Sequence, residues 1–122
     1  MTYTFQDIIA WQKAHQFVIL VYKVTSNFPP HEKFSLSSQF QRAAISIPAN
    51  IAEGYRKDGI GDKLRFLNIS QGSLEECRYY IILAKDLSYI TEQTYDYLIK
   101  HIEETSKVLN AYYQAIKTNH GR

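Results

Sequence analysis

"QRAAISIPANIAEGYRK", residues 41–57, decides how the chain folds. Ala43, Ala44, Ala49, Ala52 and Glu53 all favour helix, yet Pro48 sits among them. A proline inside a helix lacks the backbone donor and clashes with the carbonyl four residues earlier, here Ala44, at a cost of about 3 kcal/mol. The stretch is therefore either two segments around a turn, or one helix with a structural reason to carry the proline. The neighbouring segments decide between them.

Four segments carry helical periodicity. The first, about 5–27, repeats Ile8, Trp11, His15, Val18 and Tyr22 in steps of three and four, the spacing of one helix face. "NFPPHEK" ends it, because two prolines cannot continue a helix. The second, about 35–56, opens at Ser35 as N-cap and carries Leu36, Phe40, Ala43, Ile47, Ile51 and Tyr55. "KDGIGD" at 57–62 is a glycine-rich break. The third, about 62–87, follows Asp62 as cap and carries Leu67, Ser70, Leu74, Cys77, Ile81 and Ala84. Thr91 caps the fourth, about 91–117, whose stripe is Tyr95, Leu98, Ile102, Thr105, Leu109 and Tyr112. The tail 118–122 is polar and reads as frayed. No segment alternates with period two over a useful length, and no repeat or linker divides the chain.

Four helices joined by short loops predict an all-α, antiparallel up-down-up-down bundle forming a single domain over 1–122. A turn near 89–90 then pairs Leu67 with Tyr112, Leu74 with Thr105 and Ile81 with Leu98. A first turn centred on His31 sets Trp11 against Ile51, His15 against Ile47 and Tyr22 against Phe40. With the second turn near residue 59, Ser46 faces Gly72, Ala49 faces Ile69 and Asn50 faces Asn68. Glycine opposite serine and alanine lets two helix backbones approach closely, although glycine costs about 1 kcal/mol in a helix relative to Ala. Residues 41–57 thus read as one helix kinked at Pro48 and packed tightly on the third segment. The same register sets Arg42 against Glu76 and Glu53 against Arg65, two ion pairs bracketing the seam.

Composition bounds the function. The chain has 122 residues, enough for one self-sufficient core. Net charge is +2, weak encouragement for an anionic partner. Tyr is abundant, with ten copies that suit interfaces as well as cores. Cys77 is the sole cysteine, so no internal disulfide forms and a reducing cytoplasm is expected. "MTYTFQDII" lacks the basic start and apolar run of a signal peptide. The longest apolar run, "FVILVY" at 17–22, is too short to span a membrane.

Catalytic chemistry finds little footing. His15 falls on a helix stripe, His31 in a proline loop and His120 in the tail, and no carboxylate precedes His101 by three residues. There is no HExxH or CxxC, so neither a metal site nor a cofactor is expected. Cys77 reads as a small core hydrophobe. "GYRKDGIGDK" spaces glycines somewhat like a phosphate loop, but Ile60 follows Gly59 and no strand precedes. Glu75 and Glu76 are adjacent on a helix and suit a salt bridge and a solvated face.

Surfaces carry the positive signals. The first helix has a second apolar stripe at Ala10, Ala14, Phe17, Val21, Val24 and Phe28. A bundle helix needs only one core face, so this stripe is buried either by wide core contact or by a partner chain; the partner is the favoured reading, which makes Ala10, Ala14, Phe17, Val21 and Val24 the candidate oligomer interface. Arg56, Lys57, Lys63 and Arg65 surround the second turn and are the candidate nucleic-acid contacts. A solvated loop is equally open, because Asp58 and Asp62 offset half that charge. Tyr55 could stack on a base, but it lies on the core stripe of its helix.

"RAAISIPANIAEG" together with "FLNISQGSLEE" resembles the four-helix-bundle family of 23S rRNA intervening-sequence proteins. "FQDIIAWQKAH" and "DLSYITEQTYDYL" fit the same pattern, and the resemblance spans about residues 5–117. The retained motif positions include Arg42, Ser46, Pro48, Asn50, Glu53, Gly54, Arg56, Gly72, Ser73 and Glu76. His15 departs from it, since the family position is usually small or aliphatic. The family's genes sit in insertions within bacterial 23S rRNA genes and elsewhere in genomes. A related protein, the accessory variability protein of diversity-generating retroelements, forms a barrel-like pentamer that binds nucleic acid and a reverse transcriptase. The resemblance implies a bundle, a homopentamer and, more distantly, RNA or DNA binding by basic surface. The expectation is a non-enzymatic cytoplasmic oligomer with no cofactor and no membrane association. The alternative is an assembly scaffold whose partner is another protein. Free cations left after internal pairing would favour nucleic acid, and an exposed aromatic groove with little excess charge would favour protein.

Overall fold

The structure, a computed structural model, describes residues 3–119. It contains four helices, α1 (Ile9–Thr25), α2 (Leu36–Arg56), α3 (Ile60–Asp86) and α4 (Glu92–Asn119). Two short 3-10 turns, Phe5–Asp7 and Pro30–Glu32, precede α1 and α2, and no strand occurs among the described residues. Each helix packs on its neighbours in sequence, and α1 also packs on α4, so the backbones of the four form a closed square.

The turns are short and each has a local cause. Thr91 accepts a hydrogen bond from the Thr94 N–H at 3.0 Å and caps α4 as its sequence predicts. Ser35 occupies the N-cap position of α2 but makes no side-chain cap; the Glu32 carboxylate accepts from the Leu36 N–H at 3.1 Å instead. Gly59, not Asp62, caps α3, so the helix starts earlier than its glycines suggest and only Lys57–Gly59 form the connection. Asp62 falls in the first turn of α3, where its charge complements the helix dipole. At the other end of α3, Ser88 adopts φ 62°. There the Tyr89 N–H reaches back to the Ala84 carbonyl and the Ser88 N–H to Lys85, a Schellman ending in which Ser stands where Gly is usual.

The stripes of α3 and α4 meet as expected. Leu67, Ser70, Leu74, Cys77, Ile81 and Ala84 are buried, as are Leu98, Ile102, Thr105 and Leu109. Arg78 pairs with Glu103, and Lys85 with Glu92 at 3.0 Å, fixing the antiparallel register at the surface.

In α1 the two apolar stripes have exchanged roles. Ala10, Ala14, Phe17 and Val21, expected at an oligomer interface, are sealed inside the chain's own bundle, and Val24 packs half-buried against the same core. The four sealed side chains are closed to a second copy. Of the stripe expected in the core, Ile8 and Val18 are buried, Trp11 is half-buried, and His15 and Tyr22 are exposed. Both α2 and α4 press on α1, and the face they share is the one centred on Phe17, whose ring lies 6.5 Å from that of Phe40. Burying such a side chain contributes about 1.5–3 kcal/mol.

Helix α2 runs through Pro48 without a break. Carbonyls beside the proline gain side-chain donors. The Ser70 hydroxyl donates to the Ile47 carbonyl at 2.8 Å, and Asn50 Nδ2 donates to the Ser46 carbonyl at 2.8 Å and to Ser46 Oγ at 2.9 Å. Ser73 Oγ donates to Ser46 Oγ at 2.8 Å and completes a polar seam between α2 and α3. Ser46, Asn50, Ser70 and Ser73 thus tie α2 to α3 beside the proline, although none of these bonds goes to the Ala44 carbonyl that Pro48 leaves without its helical donor.

The seam corrects the role given to Gly72. Its partner position is taken by Ser73, one residue on and about 100° around the helix. Gly72 is exposed, with nothing within 4 Å of a Cβ placed there. The glycine that permits close approach is Gly54, where a Cβ would meet the Lys63 carbonyl oxygen and Phe66 Cβ, each at 3.3 Å. Neither bracketing ion pair forms. Arg65 pairs with Asp62 at 3.5 Å, Glu76 accepts from the Tyr80 hydroxyl at 3.0 Å, and Arg42 and Glu53 are exposed without an ion pair among the described residues. Long side chains on outer faces settle on partners one turn away along their own helix, where ordering costs less.

Candidate interaction surfaces

The cations of the second turn are mostly engaged within the chain. Lys63 Nζ donates to the Tyr55 carbonyl at 2.9 Å and approaches the Gly54 carbonyl at 3.4 Å, closing the C-terminal end of α2. Lys57 Nζ and the Arg65 guanidinium lie over the Phe66 ring, 5.0 Å and 4.7 Å from its centroid. Arg65 also pairs with Asp62, while Arg56 approaches Asp58 at 3.9 Å with both side chains fully in solvent. Of the four, Arg56 extends furthest into solvent, and its pair with Asp58, like the exposed Arg65–Asp62 pair, contributes little.

An apolar groove runs along the outer side of α1 and α2. Phe5, Trp11, His15, Val18, Ile45, Pro48, Ala49 and Ala52 line a volume of about 300 Å³. Trp11 and His15 stack with ring centroids 4.9 Å apart and planes 7° apart, and Phe5 meets Trp11 edge-on at 5.2 Å. Ile45 is 42% exposed, and Ile19 and Tyr22 are exposed further along α1. Among the described residues no Asp, Glu, Lys or Arg lines this groove. Its α1 half consists of the residues expected in the core. Its α2 half was missed, although a signal existed: Ile45 is a lone large apolar residue off the α2 core stripe.

The remaining candidates are structural. Cys77 is fully buried, and burial, followed by the nearby Glu76 charge, pushes its thiol well above the usual range. A thiol held protonated there is a poor nucleophile. His31 is exposed beside Glu32 and Tyr89. His120 lies outside the described residues. Among the described residues no three His, Cys, Asp or Glu side chains converge as metal ligands, and no helix is long and apolar enough to cross a membrane.

A square of four antiparallel helices, with a proline inside α2, a polar seam between α2 and α3 and an apolar groove outside, defines a four-helix-bundle protein. The pattern of the 23S rRNA-intervening sequence proteins matches residues 6–111, and the chain belongs to that family. A protein of unknown function from the S23 ribosomal protein family of Bacteroides thetaiotaomicron has a solved structure similar to this one. The two share 25% sequence identity and a TM-score of 0.81, over 89% of this chain and 98% of the other. No curated protein matches the chain.

Proposed function

We propose that the protein is a non-enzymatic assembly module, a helical bundle that joins copies of itself through the groove between α1 and α2. The observation that carries this reading is the groove itself, which leaves Trp11, His15, Ile45 and Ala49 at the surface in one uncharged strip. Contiguous exposed apolar surface of this kind marks interaction sites, and aromatic residues such as Trp dominate the energetics of interfaces. Family resemblance favours five copies in a closed ring. A net charge of +2 per chain adds little repulsion between copies. Assembly is better supported than nucleic-acid binding at the second turn, because Lys63 caps α2 and Arg65 already has Asp62.

The test is light scattering after size exclusion at micromolar concentration, on wild type and on Ile45→Glu. Wild type is expected at a multiple of 14.2 kDa, with five the favoured number. Ile45→Glu is expected near the single-chain mass with unchanged helicity, since Ile45 lies outside the core. A monomeric wild type would overturn the reading.

A further inference from the structure

A second cleft lies at the opposite end of α2. Pro30, Lys33, Phe34, Ser37, Gln41 and Arg42 are among the residues lining about 610 Å³, within the roughly 300–1,000 Å³ range of small-molecule sites. Among the described residues no carboxylate lines it. Lys33 and Arg42 are exposed, and neither has an ion pair among the described residues, while Lys33 Nζ lies over one face of the Phe34 ring, 5.4 Å from its centroid. Ser37 is only 7% exposed, and its side chain has no hydrogen-bond partner among the described residues. Every described side-chain polar atom sealed from solvent does have a partner, so the Ser37 hydroxyl keeps some access to solvent, and Ser37 lines the cleft. At the rim, Phe34 is 87% exposed, the highest value among the large apolar side chains described.

The rim is held in place. Pro29 and Pro30 restrict the backbone ahead of it, and the Glu32 carboxylate accepts from the Tyr89 hydroxyl at 2.7 Å and from the Leu36 N–H at 3.1 Å. Those bonds anchor the segment that presents Lys33 and Phe34, and they occupy the carboxylate closest to it in sequence. Gln41 is fixed from below, with Nε2 donating to Thr25 Oγ1 at 2.9 Å.

From this arrangement we infer that the cleft binds a nucleoside phosphate. The phosphate sits between Lys33, Arg42 and the Ser37 hydroxyl, which line the same cleft. The base stacks on Phe34. A free nucleotide and one unit of a single-stranded nucleic acid share this chemistry. The inference is independent of self-assembly, since it uses none of the α1–α2 groove residues.

The experiment is titration of the isotope-labelled full chain, followed by amide NMR, with inorganic phosphate, AMP and a twelve-nucleotide oligo-adenylate. AMP is expected to shift the amides of residues 33–42 and to bind more tightly than phosphate. Lys33→Ala with Arg42→Ala is expected to weaken AMP about tenfold or more. Phe34→Ala is expected to weaken AMP about fivefold while leaving phosphate unchanged. All three side chains are exposed, so thermal melting should confirm intact folding. Oligo-adenylate binding more tightly than AMP identifies the strand as the source, and the reverse order identifies the free nucleotide. No shift at 33–42 with either nucleotide ligand overturns the inference. So does equal binding of phosphate and AMP with no effect of Phe34→Ala, which would mark an adventitious ion only.

Discussion

Replacing Gly72 by Ala should stabilise the protein, and replacing Gly54 by Ala should not. Both glycines lie inside helices, where Gly costs about 1 kcal/mol relative to Ala. At Gly72 an added Cβ meets nothing within 4 Å, so the full gain of about 1 kcal/mol is available. For a domain of 122 residues that raises Tm by about 4 °C. At Gly54 the same Cβ lies 3.3 Å from the Lys63 carbonyl oxygen and 3.3 Å from Phe66 Cβ. Those atoms belong to the body of α3, which Lys63 further ties to α2 through the Tyr55 carbonyl, so the helices must part. Overpacking costs about 1–3 kcal/mol, which offsets the helix gain and leaves about 1 kcal/mol of net loss. The assay is urea denaturation followed by circular dichroism at one protein concentration, because assembly makes apparent stability concentration-dependent. The Ile45→Glu background removes that complication. If Gly72→Ala lowers the midpoint there while Gly54→Ala raises it, the placement of α3 against α2 is wrong.

Four further outcomes follow from the same geometry. Ser88→Gly should stabilise by about 1 kcal/mol, because a left-handed residue with a Cβ costs roughly that much and the Schellman ending is retained; thermal melting reads it. Phe17→Asp should unfold the chain rather than merely dissociate it, since it places a carboxylate in a sealed core site; far-ultraviolet circular dichroism separates the two. Cys77 should resist thiol reagents until global unfolding, so its labelling rate should track denaturant in step with loss of helix. The Tyr89 hydrogen bond, then the Leu36 N–H, hold the Glu32 carboxyl below its ordinary value of 4.5. A lowered carboxylate adds stability that is present above 4.5 and lost as pH falls through the folded value. Tyr89→Phe should therefore flatten the acid limb of stability against pH, and an unchanged limb would exclude this contact as its source.

Much of the architecture was legible because local and long-range signals agreed. In α3 and α4 a single apolar stripe, a Thr91 cap and a short connection left one solution, and those stripes are the core. Helix α1 was ambiguous for a physical reason: it carries two apolar stripes, and periodicity marks both without ranking them. The choice is made by the joint packing of α2 and α4, which no local pattern contains. The α2–α3 register was legible to within one residue, yet that residue moved Gly72 outside and put Ser73 in the seam. Ion pairs were the least legible, because Arg65 and Glu76 found partners on their own helix. The rim of the second cleft left a trace in "PPHEKFS", a large aromatic in a polar loop that no helix stripe explains.

The most direct test of the assembly account uses Trp11, the only tryptophan in the chain, which lies in the groove. Its emission should shift to longer wavelength as wild type is diluted through the range in which light scattering records dissociation. Ile45→Glu should show the long-wavelength emission at every concentration. If wild-type emission stays constant while the oligomer dissociates, the copies meet somewhere other than the groove between α1 and α2.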